Sequence, residues 1–116
     1  MISGTHVILN TTNAEADRAF FRDVLGFKSV DAGGGWLIFA LPATEAAFHP
    51  AETNDIHKLY FMCDDLKIEM EALAKKNVKC SEVHQERWGS TTTISLPGGG
   101  KIGLYQPTHA TALGLK

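Results

Sequence analysis

At 116 residues the chain has room for one domain, and 44% hydrophobic with 21% charged content is the balance of an ordinary globular protein, which excludes disordered and fibrous classes. A formal net charge of −2, with acids and bases mixed along the whole length, offers no basic patch and argues against nucleic acid as a partner. No apolar run approaches the roughly 20 residues that span a bilayer, and Met1 to His6 lacks the order of a signal peptide, so the sequence predicts a cytoplasmic protein without a membrane partner.

The first predicted strand is Thr5 to Asn10, where Val7 and Leu9 alternate with His6, Ile8 and Asn10. Thr12 and Glu15 have capping-box spacing, with Asn13 as the competing N-cap, and a helix is predicted from about Ala14 to Leu25. Its apolar stripe is Ala16, Ala19, Phe20 and Val24, and Gly26 is placed to end it in the left-handed conformation. Strands follow at Phe27 to Val30, Trp36 to Leu41 and Glu45 to His49, the first two joined by a Gly33-Gly34-Gly35 turn. Pro50 to Asp55 is polar and aperiodic and reads as linker.

The same order then recurs. Leu59 to Cys63 is a strand, and Asp64-Asp65 supplies N-caps for a helix from about Leu66 to Lys76 with Met70, Leu73 and Ala74 buried. Asn77 stands where Gly26 stood, as the second-best left-handed residue. Val78 to Val83, Ser90 to Leu96 and Lys101 to Gln106 complete the strands, with Pro97-Gly98-Gly99-Gly100 as the last hairpin. Gly26 precedes Asn77, and His6 precedes His57, by the same interval, which marks an internal duplication. The fold expected is α+β: two tandem βαβββ modules, 4–50 and 57–107, joined by a linker at 51–56 and followed by a tail at 108–116. Their curled mixed sheets would flank a shared cleft.

Cys63 and Cys80 lie far apart, form no CxxC motif, and read as two half-buried thiols. Neither glycine run opens a helix, so neither is a phosphate loop, and no GxSxG or HExxH word occurs. His49, His84 and His109 sit beside turns or in the tail and read as surface residues. Trp36 and Trp88 hold comparable places in the two modules, near Phe39, Tyr60, Met62 and Tyr105, where they would line the cleft or join the core.

Three stretches resemble the vicinal oxygen chelate superfamily of glyoxalases, bleomycin-resistance proteins and extradiol dioxygenases. HVILNTTNAEADRAFFRDVLGF (His6 to Phe27) is similar to that family's first strand and helix, CDDL (Cys63 to Leu66) to its second helix start, and LPGGGKIGLYQP (Leu96 to Pro107) to its final hairpin. Metal-using members converge four ligands from the first and fourth strands of each module. The resemblance carries those positions onto His6, Glu45, either His57 or Lys58, and Gly103. The duplication register selects His57, whereas strand alternation sends Leu59, Phe61 and Cys63 to the helix side and Lys58, Tyr60 and Met62 to the cleft. Gly103 stands where metal-using relatives carry glutamate and supplies no ligand atom.

The resemblance thus implies one of three functions. The reading adopted is a small-molecule-binding protein with an incomplete metal site, in which His6, Glu45 and Lys58 anchor a ligand and Trp36, Tyr60, Met62, Trp88 and Tyr105 pack on it. The alternative is a metal-dependent enzyme of the glyoxalase or extradiol dioxygenase type, with Fe, Mn, Ni or Zn held by His6, Glu45 and His57. A third is a metal-free enzyme using His6 or Glu45 as acid or base. A homodimer is expected, from the resemblance and from the exposed edges that two short curled sheets leave.

Overall fold

The computed structural model describes Met1 and residues 3–115. Its architecture is α+β, with two sheets. A helix α1 (Ala14–Ala19) runs into a π-helical turn (Phe20–Val24), followed by the antiparallel pair β1 (Ser29–Asp31) and β2 (Leu37–Phe39). Then come β3 (Tyr60–Met62), α2 (Leu66–Lys75), β4 (His84–Glu86), β5 (Gly89–Ser95) and β6 (Lys101–Pro107). These last four strands make one mixed sheet in the order β3-β6-β5-β4, with β3 parallel to β6 and the other pairs antiparallel.

Local chemistry explains the helix ends. Asn13, not Thr12, caps α1, its side-chain oxygen accepting the Ala16 N–H at 3.1 Å. Thr12 is drawn away because its hydroxyl donates to the Gly98 carbonyl at 2.9 Å. Asp65 caps α2 through the Ile68 N–H at 3.2 Å, and the Gln106 side chain takes a second free donor, Leu66 N–H, at 2.9 Å. Gly26 and Asn77 are both left-handed, with φ of 74° and 61°. At Asn77 the bonds from Asn77 to Ala74 and from Val78 to Leu73, both 3.0 Å, make a Schellman motif, and Val78 and Leu73 bury their contact in the core.

The first helix departs from its predicted continuous α form. Its end widens by one residue, Leu25 N–H reaching Phe20 O at 3.1 Å and Phe27 N–H reaching Phe21 O at 3.0 Å. Phe20 and Phe21, adjacent in sequence, are both buried there, where an α-helix would turn them about 100° apart. Phe21 then meets Phe27, Phe39 and Phe61 at centroid distances of 5.7, 5.5 and 6.0 Å, and Phe27 meets Phe61 at 5.5 Å. This four-ring cluster joins the first half of the chain to the second. Around it, Leu66, Leu73, Val78, Ile94, Ile102 and Leu104 fill the space between α2 and the sheet.

A second joint lies at the Pro97–Gly100 hairpin. Asp17 accepts the Gly98 N–H at 2.7 Å, and Lys76 donates to the Val24 carbonyl at 3.0 Å, so α1 touches both the hairpin and the end of α2.

Two predicted strands do not form. Residues 5–10 and 45–49 have no ladder partner among the described residues, and Val7, Ile8, Leu9 and Phe48 are exposed. An extended segment becomes a strand only when a neighbour takes its N–H and C=O groups in a regular ladder, and among the described residues none does so here, although Glu45 reaches the Ala112 N–H through its side chain. Val78 to Val83 is likewise reduced to a bridge between Cys80 and Ile94. The reason is local: Ser81 Oγ accepts the Thr93 N–H at 2.9 Å, and the Thr92 hydroxyl donates to Ser81 O at 2.7 Å, so side chains occupy ladder positions.

The left-handed cap at Asn77 is testable. Asn77→Ala should destabilise the chain by about 1 kcal/mol in urea unfolding, while Asn77→Gly should stay within a few tenths, since only the former puts a Cβ into strain without a compensating side-chain oxygen. Equal effects would show that the cap conformation does not matter.

Candidate functional site

Strand β3 sends its side chains to two sides. Leu59, Phe61 and Cys63 pack against the core, as alternation predicts. Tyr60 and Met62 therefore face away from α2, and their cross-strand partners on β6, Gly103 and Tyr105, share that face. Thr91 and Thr93 on β5 lie opposite Tyr105 and Gly103, so the same face carries two hydroxyls. His84 on β4 lies opposite Thr91.

Three aromatic rings meet on this surface. Trp88 and Tyr105 are 5.2 Å apart, Tyr60 and Tyr105 5.7 Å, and Tyr60 and Trp88 6.2 Å, with interplanar angles of 81–90°. Edge-to-face contact of this kind lets each ring present its positive edge to a neighbour's negative face. Tyr105 is buried, Trp88 half-buried, and Tyr60 37% exposed, so Tyr60 is the ring an incoming ligand would meet. Burial pushes the Tyr105 phenol above its ordinary pKa, and the Glu45 carboxylate nearby pushes it in the same direction.

The Tyr60 ring gives Gly103 its physical meaning. A Cβ built on Gly103 would fall 2.1 Å from Tyr60 Cδ2 and 2.4 Å from Cε2. The ring occupies the space beside the bare backbone of β6, and any side chain at 103 would have to displace it. The position that the family resemblance assigns to a metal-binding glutamate is therefore filled by a tyrosine ring from the neighbouring strand.

The other candidates do not join this cluster as a set. His6 is exposed on the unpaired segment 5–10, and His57 and Lys58 are exposed ahead of β3. Trp36 is 62% exposed and lies under the Arg18 guanidinium, 4.6 Å from its ring centroid, a cation–π contact away from Tyr60 and Trp88. Glu45 is half-buried, and its carboxylate accepts the Ala112 N–H at 2.7 Å. Among the described residues no three His, Cys, Asp or Glu side chains come together as a metal-holding group. A carboxylate engaged by a backbone amide, two exposed histidines and a tyrosine over the fourth position do not fit the superfamily's metal.

His109 is exposed, as read from sequence, and its ring also turns back toward the site. Its ring lies 6.0 Å from that of Tyr105 at 30°, and its Nε2 is 3.3 Å from the phenol oxygen. No sequence pattern marks this return, which depends on where the chain goes after Pro107. Thr91 and Thr93 were open to prediction, because the hairpin at Pro97–Gly100 sets the register of β5 against β6. Cys63 and Cys80 are free, half-buried thiols; burial, with Glu69, Asp64 and Asp65 nearby, pushes Cys63 up to about 11, which keeps it protonated and unreactive at neutral pH. A groove of about 530 Å³ lies on the opposite, helix-bearing side, between Met70 and Ala74 of α2 and Val83, and none of the three rings lines it.

A double-mutant cycle tests the Tyr60–Gly103 contact. Gly103→Ala should cost about 1–3 kcal/mol alone and markedly less in a Tyr60→Ala background, measured by urea unfolding. Additive costs would mean that the ring does not rest on Gly103.

No protein-family model matches the chain, and none of the curated proteins does. Solved structures do. TnmS3, an antibiotic binding protein from Streptomyces sp. CB03234, superposes with a TM-score of 0.67 at 22% identity, covering 92% of this chain and 98% of its own. Lactoylglutathione lyase from Agrobacterium tumefaciens gives 0.64 at 15%, covering 90% and 92%. A glyoxylase/bleomycin resistance protein/dioxygenase domain from Frankia sp. EAN1pec gives 0.63 at 15%, covering 96% of each. At such identities the likeness is one of architecture. The chain has the fold of the glyoxalase/bleomycin resistance/dioxygenase proteins, that of the vicinal oxygen chelate superfamily.

Proposed function

We propose that the protein binds a flat, aromatic small molecule on the Tyr60–Trp88–Tyr105 surface, without a metal. The observation that carries this reading is the Tyr60 ring laid over Gly103, because it replaces a ligand-bearing position with a stacking one. Met62 extends the apolar floor, Thr91 and Thr93 offer hydroxyls, and Lys58 lies close enough in sequence to reach an acidic edge of the ligand. The likeness to an antibiotic binding protein supports a ligand of this class. Among the described residues no helix is long and apolar enough to cross a membrane, and the two free thiols suit a cytoplasmic setting.

The same reading includes a homodimer of two such chains, in which the unpaired segments before residues 51–56 would find their strand partners. The accessible surface is 9294 Å², whereas a 12.6 kDa monomer is expected to expose about 6200 Å². The radius of gyration, 15.1 Å, likewise exceeds the roughly 13 Å of a compact chain this long. The excess of about 3000 Å² per chain, about 6000 Å² for a pair, is at the upper end of what an obligate dimer buries. Residues 5–10, with Val7, Ile8 and Leu9 exposed and no ladder partner, are where a second copy would add strands.

Two measurements test these proposals. Planar polycyclic aromatics such as acridines should quench Trp88 fluorescence saturably in a Trp36→Phe background, and Tyr60→Ala should weaken binding about five- to tenfold, the worth of one stacking contact. An affinity unchanged by Tyr60→Ala would rule out this surface as the binding site. Light scattering after size exclusion should give twice the chain mass of 12.6 kDa, and a monomer at micromolar concentration would refute the dimer.

A further inference from the structure

After Pro107 ends β6, the chain does not leave the aromatic surface. Thr108 N–H donates to the Trp88 carbonyl at 2.9 Å, and its hydroxyl to the Arg87 carbonyl at 3.2 Å. This turns His109 over Tyr105. The His109 Nδ1 sits 2.7 Å from the Ala110 carbonyl, an acceptor only, so Nδ1 carries the proton. Nε2 is left as acceptor for the Tyr105 hydroxyl. Ala112 N–H then donates to Glu45 Oε1 at 2.7 Å, a contact 67 positions apart in sequence, and Leu115 N–H closes a turn on the Ala112 carbonyl at 3.1 Å. The bond at Glu45 is charge-assisted, the strong kind of hydrogen bond.

We infer that residues 108–115 are a strap that covers the Tyr105 corner of the aromatic surface, with Glu45 as its latch and the His109 ring held against the Tyr105 hydroxyl, while Tyr60 stays open beside it. Glu45 is then a positioning residue, acting on the site through the tail. The inference rests on the reading of that surface as the binding site, but its test needs no ligand. Three observations converge on it. Tyr105, although it faces away from α2 and the core, is only 9% exposed. Glu45, on a segment with no ladder partner, is half-buried and engages the tail. The imidazole is held at the phenol by the 3.3 Å contact between His109 Nε2 and the Tyr105 oxygen, with the two rings tilted by 30° at 6.0 Å.

The experiment uses the full chain and acetylation by N-acetylimidazole, with each tyrosine followed by peptide mass spectrometry. The two tyrosines, Tyr60 and Tyr105, serve as control and reporter. Tyr105 should react slowly in the wild type and about tenfold faster in Glu45→Ala, while Tyr60 keeps its rate. Glu45→Gln should keep Tyr105 slow, because the amide carbonyl still accepts the Ala112 N–H while the charge is gone; this separates the latch from the electrostatic effect of Glu45 on the phenol. Amide hydrogen exchange provides the second arm: Ala112 should be protected in the wild type and in Glu45→Gln and lose protection in Glu45→Ala. An Ala112 amide that exchanges freely in the wild type overturns the latch, whether or not any variant folds. A Tyr105 rate unchanged in Glu45→Ala overturns the strap as a cover.

Discussion

The packing of Phe61 between Phe21 and Phe27 governs most of what this molecule presents to solvent. A strand residue with its ring at 5.5–6.0 Å from two others cannot slip by one position without exposing the ring and burying a tyrosine hydroxyl in its stead. Full burial of a Phe is worth on the order of 2–3 kcal/mol, and the half-buried Phe61 keeps part of that, which favours this register of β3. With Phe61 inward, Tyr60 and Met62 are outward by the geometry of the pleat. The character of the candidate site follows from a core contact on the other side of the sheet.

That constraint meets a second one at Gly103. Parallel pairing puts Tyr60 opposite residue 103, and the missing side chain there lets the ring settle onto β6. Tyr105, next but one along β6, then has Tyr60 on one flank and Trp88 on the other. Glycine at this position has a positive physical role in addition to removing a ligand atom. Loss of the carboxylate and gain of the aromatic surface are two sides of one geometric fact, since a side chain at 103 and the ring of Tyr60 compete for the same volume.

Among the described residues the two halves of the chain are tied by the shared core with its phenylalanine cluster, the bonds of Thr12 and Asp17 to Gly98, the Lys76–Val24 bond and the Glu45–Ala112 bond. The second half carries a four-stranded sheet, while the first retains only the β1–β2 hairpin. This asymmetry accounts for the large accessible surface. The sequence repeat supplies both halves with similar strand patterns, and the difference lies in whether partners are within reach.

Much of the architecture was legible from residues alone, because its causes are local. Gly26 and Asn77 announced helix ends through their tolerance of positive φ; Asp65 announced a cap; and the alternation of Leu59, Phe61 and Cys63 announced which side of β3 is core. These are properties of a residue and its near neighbours, and tertiary packing had no reason to override them. The unpaired segments at 5–10 and 45–49, the capture of Trp36 by Arg18, the hydrogen bond from Ala112 N–H to Glu45 and the Thr108–Trp88 bond that turns His109 back all depend on groups well separated in sequence. No single strand or helix encodes such meetings. By itself, the sequence determined where the two helices begin and end and which side of β3 faces the core. Which faces meet, and so which candidate residues stand together, was decided only when the whole chain closed, because hydrogen-bond partners and ring contacts are matters of distance in space.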